Sequence, residues 1–128
     1  MNKTCVAVDI GASSGRVIAG TLEDGWISLR EIYRFKNGFM HMNGHDYWDI
    51  DSIFCNIKTG LAKLKCLQDD LLSVGIDTWA VDYVLLDGEN KRVSPVFAYR
   101  DHRTDHTFDK IFSRLGPSVI YENTGIQW

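Results

Sequence analysis

The chain has 128 residues, 45% of them hydrophobic, and carries 14 Lys and Arg against 17 Asp and Glu for a net charge of −3. That length is one domain or part of one, and the mild acidity, without a run of Lys or Arg, excludes a nucleic-acid footprint. No apolar stretch reaches the ~20 residues a membrane-spanning helix needs, and Asp9 breaks the apolar run from Cys5 too early for a signal peptide.

The first strand is predicted over Cys5–Ile10, continuously apolar and therefore buried on both faces. The second covers Arg16–Leu22, the turn Glu23-Asp24-Gly25 follows, and the third covers Trp26–Phe35. In the third, Ile27, Leu29, Glu31 and Tyr33 alternate with Ser28, Arg30, Ile32 and Arg34. Consecutive hairpins make an antiparallel meander. Lys36–Tyr47 is polar and glycine-containing and reads as a loop, with a short strand near Tyr47-Trp48. Asp51 or Ser52 is expected to cap a helix running to Leu67, with Ile53, Ile57, Leu61 and Leu64 on its apolar face and Gly60 weakening it. Asp69-Asp70 reads as a solvated turn.

Leu72–Asp77 is the next strand. A helix between strands implies a crossover and parallel pairing. Val81–Leu86 is a further apolar run, closed by the turn Asp87-Gly88-Glu89-Asn90. Val93–Tyr99 is extended, with Pro95 at an edge or irregular position. A second helix over Thr104–Leu115 presents Phe108, Ile111, Phe112 and Leu115, and Gly116-Pro117 ends it and starts a short third helix toward Tyr121. The chain ends on Ile126 and Trp128 after Gly125, where a domain usually frays into polar residues, so an N-terminal fragment is expected. A meander followed by crossover helices and strands predicts an α/β fold with a mixed sheet and flanking helices. That order also opens the ribonuclease H-like domains of the actin, Hsp70 and sugar-kinase type, an analogy at the level of fold.

The stretch Asp9-Ile10-Gly11-Ala12-Ser13-Ser14-Gly15-Arg16 places an acid, glycines, hydroxyls and an arginine in a tight turn between strands. Glycines let backbone approach an anion, successive N–H groups and hydroxyls can cradle phosphate oxygens, and Arg16 adds a positive fork. Asp9 could hold hydrated Mg²⁺ beside the phosphates. No Lys follows Gly15, which excludes the lysine-type P-loop, and the pattern is not G-x-G-x-x-G. Taken alone, the turn also fits a plain hairpin.

Five blocks in order extend the signal: Cys5–Val17, Leu29–Phe35, Trp48–Ser52, Ser73–Trp79 with Val81–Asp87, and Ala98–Asp101 with Thr124–Gln127. In these the chain resembles the N-terminal part of the FGGY carbohydrate kinases. The resemblance implies transfer of the ATP γ-phosphoryl group, with Mg²⁺, to a ketose, L-rhamnulose first and L-fuculose as the alternative. A non-catalytic sugar- or nucleotide-binding protein of the same fold stays open beside it. By the same resemblance Ala12, Ser13, Ser14, Gly15 and Arg16 would contact ATP phosphates and Asp9 would place the metal. The catalytic base and the adenine pocket would lie beyond residue 128, in the remainder of the polypeptide.

The block Asp77-Thr78-Trp79-Ala80-Val81-Asp82 resembles the family's sugar-contacting segment. Asp77 and Asp82 can accept sugar hydroxyls and Trp79 offers a stacking face, although Trp79 could equally be a core residue. The members this chain resembles carry Gly at the position of Ala80. A positive φ there would cost Ala ~1–2 kcal/mol, whereas an ordinary φ would only add a methyl near the sugar. Tyr99-Arg100-Asp101-His102-Arg103 matches the family's aromatic-x-Asp-x-Arg pattern, and an ion-pair role fits it as well as a substrate contact.

Other features read as ordinary surface and core. His102 and His106 have an i, i+4 spacing that could bind zinc, but no third ligand is evident and a solvated helix end fits better. His41 and His45 are expected to be exposed. Cys5, Cys55 and Cys66 form an odd set without C-x-x-C, which suits reduced thiols in a cytoplasmic protein, and Cys5 reads as a small core hydrophobe.

Overall fold

The computed structural model of the chain describes residues 3–66 and 70–127, so the predicted helix end at Leu67, the acidic Asp69 and the terminal Trp128 lie outside the described residues. Its centre is a four-stranded mixed sheet. Strand β1 (Lys3–Ile10) pairs antiparallel with β2 (Ser14–Glu23), and β2 with β3 (Trp26–Lys36). Strand β6 (Asp70–Thr78) returns parallel to β1, as the crossover predicted. The turn between β2 and β3 has Asp24 and Gly25 both at positive φ, 48° and 83°, the geometry that matches strand twist in a two-residue hairpin.

Helix α1 (Ile50–Lys63) makes that crossover and covers one face of the sheet. Its cap is Asp49 rather than Asp51 or Ser52: the Asp49 carboxylate accepts from the Ser52 N–H at 2.9 Å. A capping oxygen must precede the N–H it receives by two or three residues, which leaves Asp51 in the first turn, paired with Arg92 at 2.7 Å. The predicted apolar face holds, with Ile53 and Leu64 in the core and Ile57 and Leu61 against it. Gly60 lies where the helix comes closest to Val17 and Tyr33, and Tyr33 donates from its hydroxyl to Asn56 Oδ1 at 2.9 Å.

Among the described residues the sheet is covered on that face only, which corrects the expectation for β1. Val6, Val8 and Ile10 are buried while Cys5 and Ala7 are exposed. Cys5 is therefore not a core residue. Among the described residues no layer packs on the side carrying Cys5, Ala7, Ile18, Leu22, Ile27 and Leu29, which instead line an open apolar groove. Strand β3 shows why simple alternation failed. Val17 pairs with Tyr33 but Ile18 pairs with Glu31, leaving Ile32 as a bulge. One extra residue flips every later side chain to the other face, so Tyr33 and Phe35 join the α1 side while Ile27 and Leu29 face outward.

The expected loop over Lys36–Tyr47 is instead a hairpin, β4 (Phe39–Met42) with β5 (His45–Trp48), turning at Asn43 and Gly44 with φ of 53° and 78°. The Asn-Gly dipeptide was its signal, obscured by the polar surroundings. Strand β7 (Val96–Phe97), just after Pro95, adds to β5. The Val81–Leu86 run is not a strand: only Leu86 bridges, to Arg92, across the predicted Asp87–Asn90 turn. Apolarity alone does not supply a partner strand. The predicted second helix is broken into a 3₁₀ turn (His102–Thr104) and a short α2 (Thr107–Phe112), because the Asp101 carboxylate caps Arg103 N–H and starts the turn early. Phe108, Ile111 and Leu115 are exposed rather than core-facing. Helix α3 (Pro117–Thr124) has Pro at its first position and Gly125 at φ 70° closing it, with Gly125 N–H donating to Tyr121 O at 2.8 Å.

Candidate functional site

The hairpin between β1 and β2 closes tightly, with Ile10 paired to Gly15 and the Gly11 N–H donating to Ser14 O at 2.9 Å. No residue from Gly11 to Gly15 has a positive φ. The glycines serve close approach instead: a Cβ on Gly15 would run into the Phe35 ring, and one on Gly11 would sit 3.1 Å from Ser14 O. Among the described residues, the side-chain hydroxyls of Ser13 and Ser14 have no hydrogen-bond partner within the chain. Those are free donors at the turn, as an anion-binding loop requires.

Asp9 and Arg16 are cross-strand partners at the base of this loop. Both Nε and Nη2 of Arg16 reach Asp9 Oδ2, at 2.8 and 2.7 Å, and both side chains are about two-fifths exposed. Among the described residues, the second oxygen of Asp9 has no partner within the chain, and neither has the outer end of the guanidinium. On the other side of β1, Asp9 pairs with Asp77 and Ile10 with Thr78. Arg16, Asp9 and Asp77 therefore form a row across three adjacent strands, spaced by ~4.8 Å per strand. The loops after β1 and β6 leave the same end of the sheet, at the carboxyl ends of parallel strands, where open α/β sheets bind ligands.

Mg²⁺ takes one or two carboxylates and fills the rest of its octahedron with water and phosphate. Asp9, with Asp77 beside it, fits that donor set. No group of three His, Cys, Asp or Glu side chains that could hold a metal ion occurs among the described residues.

The predicted sugar-contacting residues begin at Asp77 near the end of β6 and continue into the segment that follows it. Asp77 is exposed. Trp79 is half-buried against Trp48, with ring centroids 4.3 Å apart. Asp82 Oδ2 accepts both indole N–H groups, from Trp79 at 2.6 Å and from Trp48 at 2.7 Å. Ala80 does not have a positive φ, so its difference from Gly adds only a methyl; the left-handed residue is Val81, at φ 73°. That is a sparsely populated conformation for a β-branched side chain. Trp48, only 3% exposed, was missing from the sequence prediction. It stands in the Trp48–Ser52 block, but only the fold brings it to Asp82, 34 positions away. Asn37 was missed as well: it donates from Nδ2 to Gly11 O at 2.9 Å and from its backbone to Ser13 O at 3.0 Å.

Asp101 is a structural anchor. Its carboxylate accepts the N–H groups of Asp46 (2.9 Å) and Arg103 (3.0 Å), and lies 3.1 Å from His45 Nδ1. Burial pushes the Asp101 carboxyl up, but those amides and the His45 ring together outweigh it and bring it down to about 2. His45 is accordingly half-buried rather than exposed, whereas His41 is exposed as expected, 3.0 Å from Asp46. His102 pairs with Asp105 at 2.9 Å, which raises its pKa, and His106 is exposed.

Residues 4–128 match the model of the FGGY family of carbohydrate kinases, N-terminal domain. The chain belongs to the FGGY carbohydrate kinases. Among FGGY relatives it is 51% identical over 122 residues to a rhamnulokinase of Bacillus subtilis, covering 95% of this chain and 25% of that protein. It is 52% identical over 124 residues to a rhamnulokinase of Mannheimia succiniciproducens, covering 95% of this chain and 26% of that one. The chain thus spans about a quarter of the length of the curated relatives it matches. FGGY-type structures share its fold. Gluconate kinase from Lactobacillus acidophilus superposes with a TM-score of 0.81 at 12% identity, over 98% of this chain and 25% of that one. Plasmodium falciparum glycerol kinase with ADP gives 0.74 at 15% identity, over 98% and 26%. The predicted mixed-sheet, ribonuclease H-like fold is borne out by these FGGY-type neighbours.

Proposed function

We propose that the polypeptide containing this FGGY domain is a kinase that transfers the γ-phosphoryl group of ATP to a ketose, L-rhamnulose before L-fuculose, giving L-rhamnulose 1-phosphate. One observation carries the reading: the sheet register sets the Asp9–Arg16 pair and its anion-type loop beside Asp77, at the start of the sugar-type segment. Rhamnulokinases at 51% and 52% identity give the substrate class its support.

Phosphoryl transfer depends mostly on positioning and charge neutralisation. Ala12, Ser13, Ser14 and Gly15 would offer N–H and hydroxyl donors to the ATP phosphates, and the free end of Arg16 would neutralise their charge. Asp9 would hold Mg²⁺, which supplies charge compensation between the phosphates when bound. On the sugar side, Asp77 and Asp82 would accept hydroxyls, Trp79 would present a ring face, and Ala80 would pack against the sugar. The catalytic base and adenine pocket belong to the remainder of the polypeptide, and the cytoplasm is the proposed compartment. Among the described residues no helix is long and apolar enough to cross a membrane.

The test is ADP release by the full-length polypeptide with a panel of ketoses. Turnover with L-rhamnulose above all others is expected, with large losses in folded Arg16→Ala and Asp9→Asn variants and none with residues 1–128 alone. Ketose-independent ADP release, or full activity in both variants, would refute the assignment. Sugar or nucleotide binding without turnover would instead favour the non-catalytic alternative.

A further inference from the structure

Asn37 follows the last residue of β3 and lies 26 positions from Gly11, yet it holds both carbonyls of the β1–β2 loop that face it. Its Nδ2 donates to Gly11 O at 2.9 Å and its backbone N–H to Ser13 O at 3.0 Å. Ser14 O, at the start of β2, is taken by the Gly11 N–H at 2.9 Å, and among the described residues the remaining loop carbonyl, Ala12 O, has no partner within the chain. The Asn37 side chain is itself fixed, because its Oδ1 accepts the Gly38 N–H at 3.0 Å. That acceptor also settles which end of the amide faces Gly11.

A trans peptide is planar, and its C=O and N–H point in opposite directions. Holding Gly11 C=O toward Asn37 therefore turns the Ala12 N–H away from it, and holding Ser13 C=O turns away the Ser14 N–H. Among the described residues, no partner within the chain takes the Ala12 N–H. A loop that is to accept an anion must present N–H groups and keep its carbonyl oxygens elsewhere, since a flipped peptide would aim an oxygen at the phosphate. None of Gly11, Ala12 and Ser13 is held by a positive φ, so the local backbone does not by itself prevent such a flip.

We propose that Asn37 is a positioning residue for the nucleotide: its side-chain amide locks the Gly11–Ala12 peptide in the orientation that presents N–H groups to the ATP phosphates. The inference rests on the phosphate role given to the loop above. It adds a specific cause for the loop's polarity, located outside the motif.

The test uses the full-length polypeptide and the variants Asn37→Asp and Asn37→Ala. Asp keeps the size, the backbone donor and the acceptor for Gly38, but puts an anionic oxygen against Gly11 O. ADP affinity, measured by titration calorimetry, is expected to fall about tenfold in Asn37→Ala, the size of one hydrogen bond's worth, and further in Asn37→Asp. The KM for L-rhamnulose should stay within about twofold, since the lost bond lies on the nucleotide side only. Wild-type ADP affinity in both variants would overturn the inference alone. A parallel loss of sugar and nucleotide affinity with a lowered melting temperature would also overturn it, by making Asn37 a general structural residue. If the wild-type polypeptide binds neither ADP nor ATP, the phosphate reading fails and the inference falls with it.

Discussion

Gly15→Ala separates two reasons for a glycine in the phosphate-type loop. The sequence suggested close approach of backbone to an anion, whereas the structure packs the Phe35 ring directly on this glycine. An ideal Cβ at position 15 would stand 2.7 and 2.8 Å from Phe35 Cε1 and Cε2, and nearer still to Cζ. Carbon atoms in contact prefer about 3.5–4.0 Å, so the ring must retreat by about 1 Å. Phe35 is only 7% exposed and has little room to do so. Overpacking of this kind costs about 1–3 kcal/mol. Alanine recovers about 0.4–1 kcal/mol through the unfolded chain, because φ here is not positive and the backbone tolerates it. The net expectation is a loss of about 1–2 kcal/mol. Urea titration of the full-length polypeptide, followed by tryptophan fluorescence, would measure it across the cycle Gly15→Ala, Phe35→Leu and the double variant. The shorter Leu should absorb the added methyl, giving a favourable coupling of about 1 kcal/mol. Strict additivity of the two changes would refute the packing argument and leave anion approach as the reason for the glycine.

Gly60→Ala should destabilise despite better helix propensity: its Cβ would meet Tyr33 Cδ1 at 3.1 Å and Val17 Cβ at 3.2 Å, so overpacking of about 1–3 kcal/mol opposes a gain of about 1. A raised melting temperature would show that α1 can lift off the sheet freely. Trp48→Phe keeps an aromatic ring but removes one of the two donors to Asp82; in the proposed ketose-kinase reaction the KM for the ketose should rise about three- to tenfold with the KM for the nucleotide unchanged, and an unaltered ketose KM would remove Trp48 from the sugar side. Asp101 is held at about 2 against an ordinary 3.8, so its carboxylate contributes stability above the higher value that is lost as pH falls toward the lower. Asp101→Asn should therefore lower the melting temperature near neutral pH, with the gap to wild type closing from about pH 4 downward, and a gap constant down to about pH 2 would contradict the assignment.

Local chemistry made much of this domain legible. Strands β1 and β2, the Asp24-Gly25 turn, α1 with its apolar face, the parallel return of β6 and the Gly116-Pro117 boundary follow from periodicity, turn residues and caps, which act over a few positions. Asp9 and the Gly11–Arg16 turn are marked by residue type and order, and Asp77–Asp82 by its resemblance to the family's sugar-contacting segment. What escaped depends on partners far along the chain. The bulge at Ile32 is a property of the β2–β3 pairing and decides which face Tyr33 and Phe35 take. The burial of β1 on one face reflects which layers the chain supplies, which an apolar run cannot report.

The sequence alone determined the family signature and the residue types that could hold phosphate, metal and sugar, because those are short-range patterns. Tertiary structure decided how they meet. The register of β1 with β2 and β6 lines up Arg16, Asp9 and Asp77. The fold brings Trp48 onto Asp82 and Asn37 onto Gly11, across 34 and 26 positions. Hydrogen bonds of that span are set by where strands and helices pack, and no local propensity encodes them.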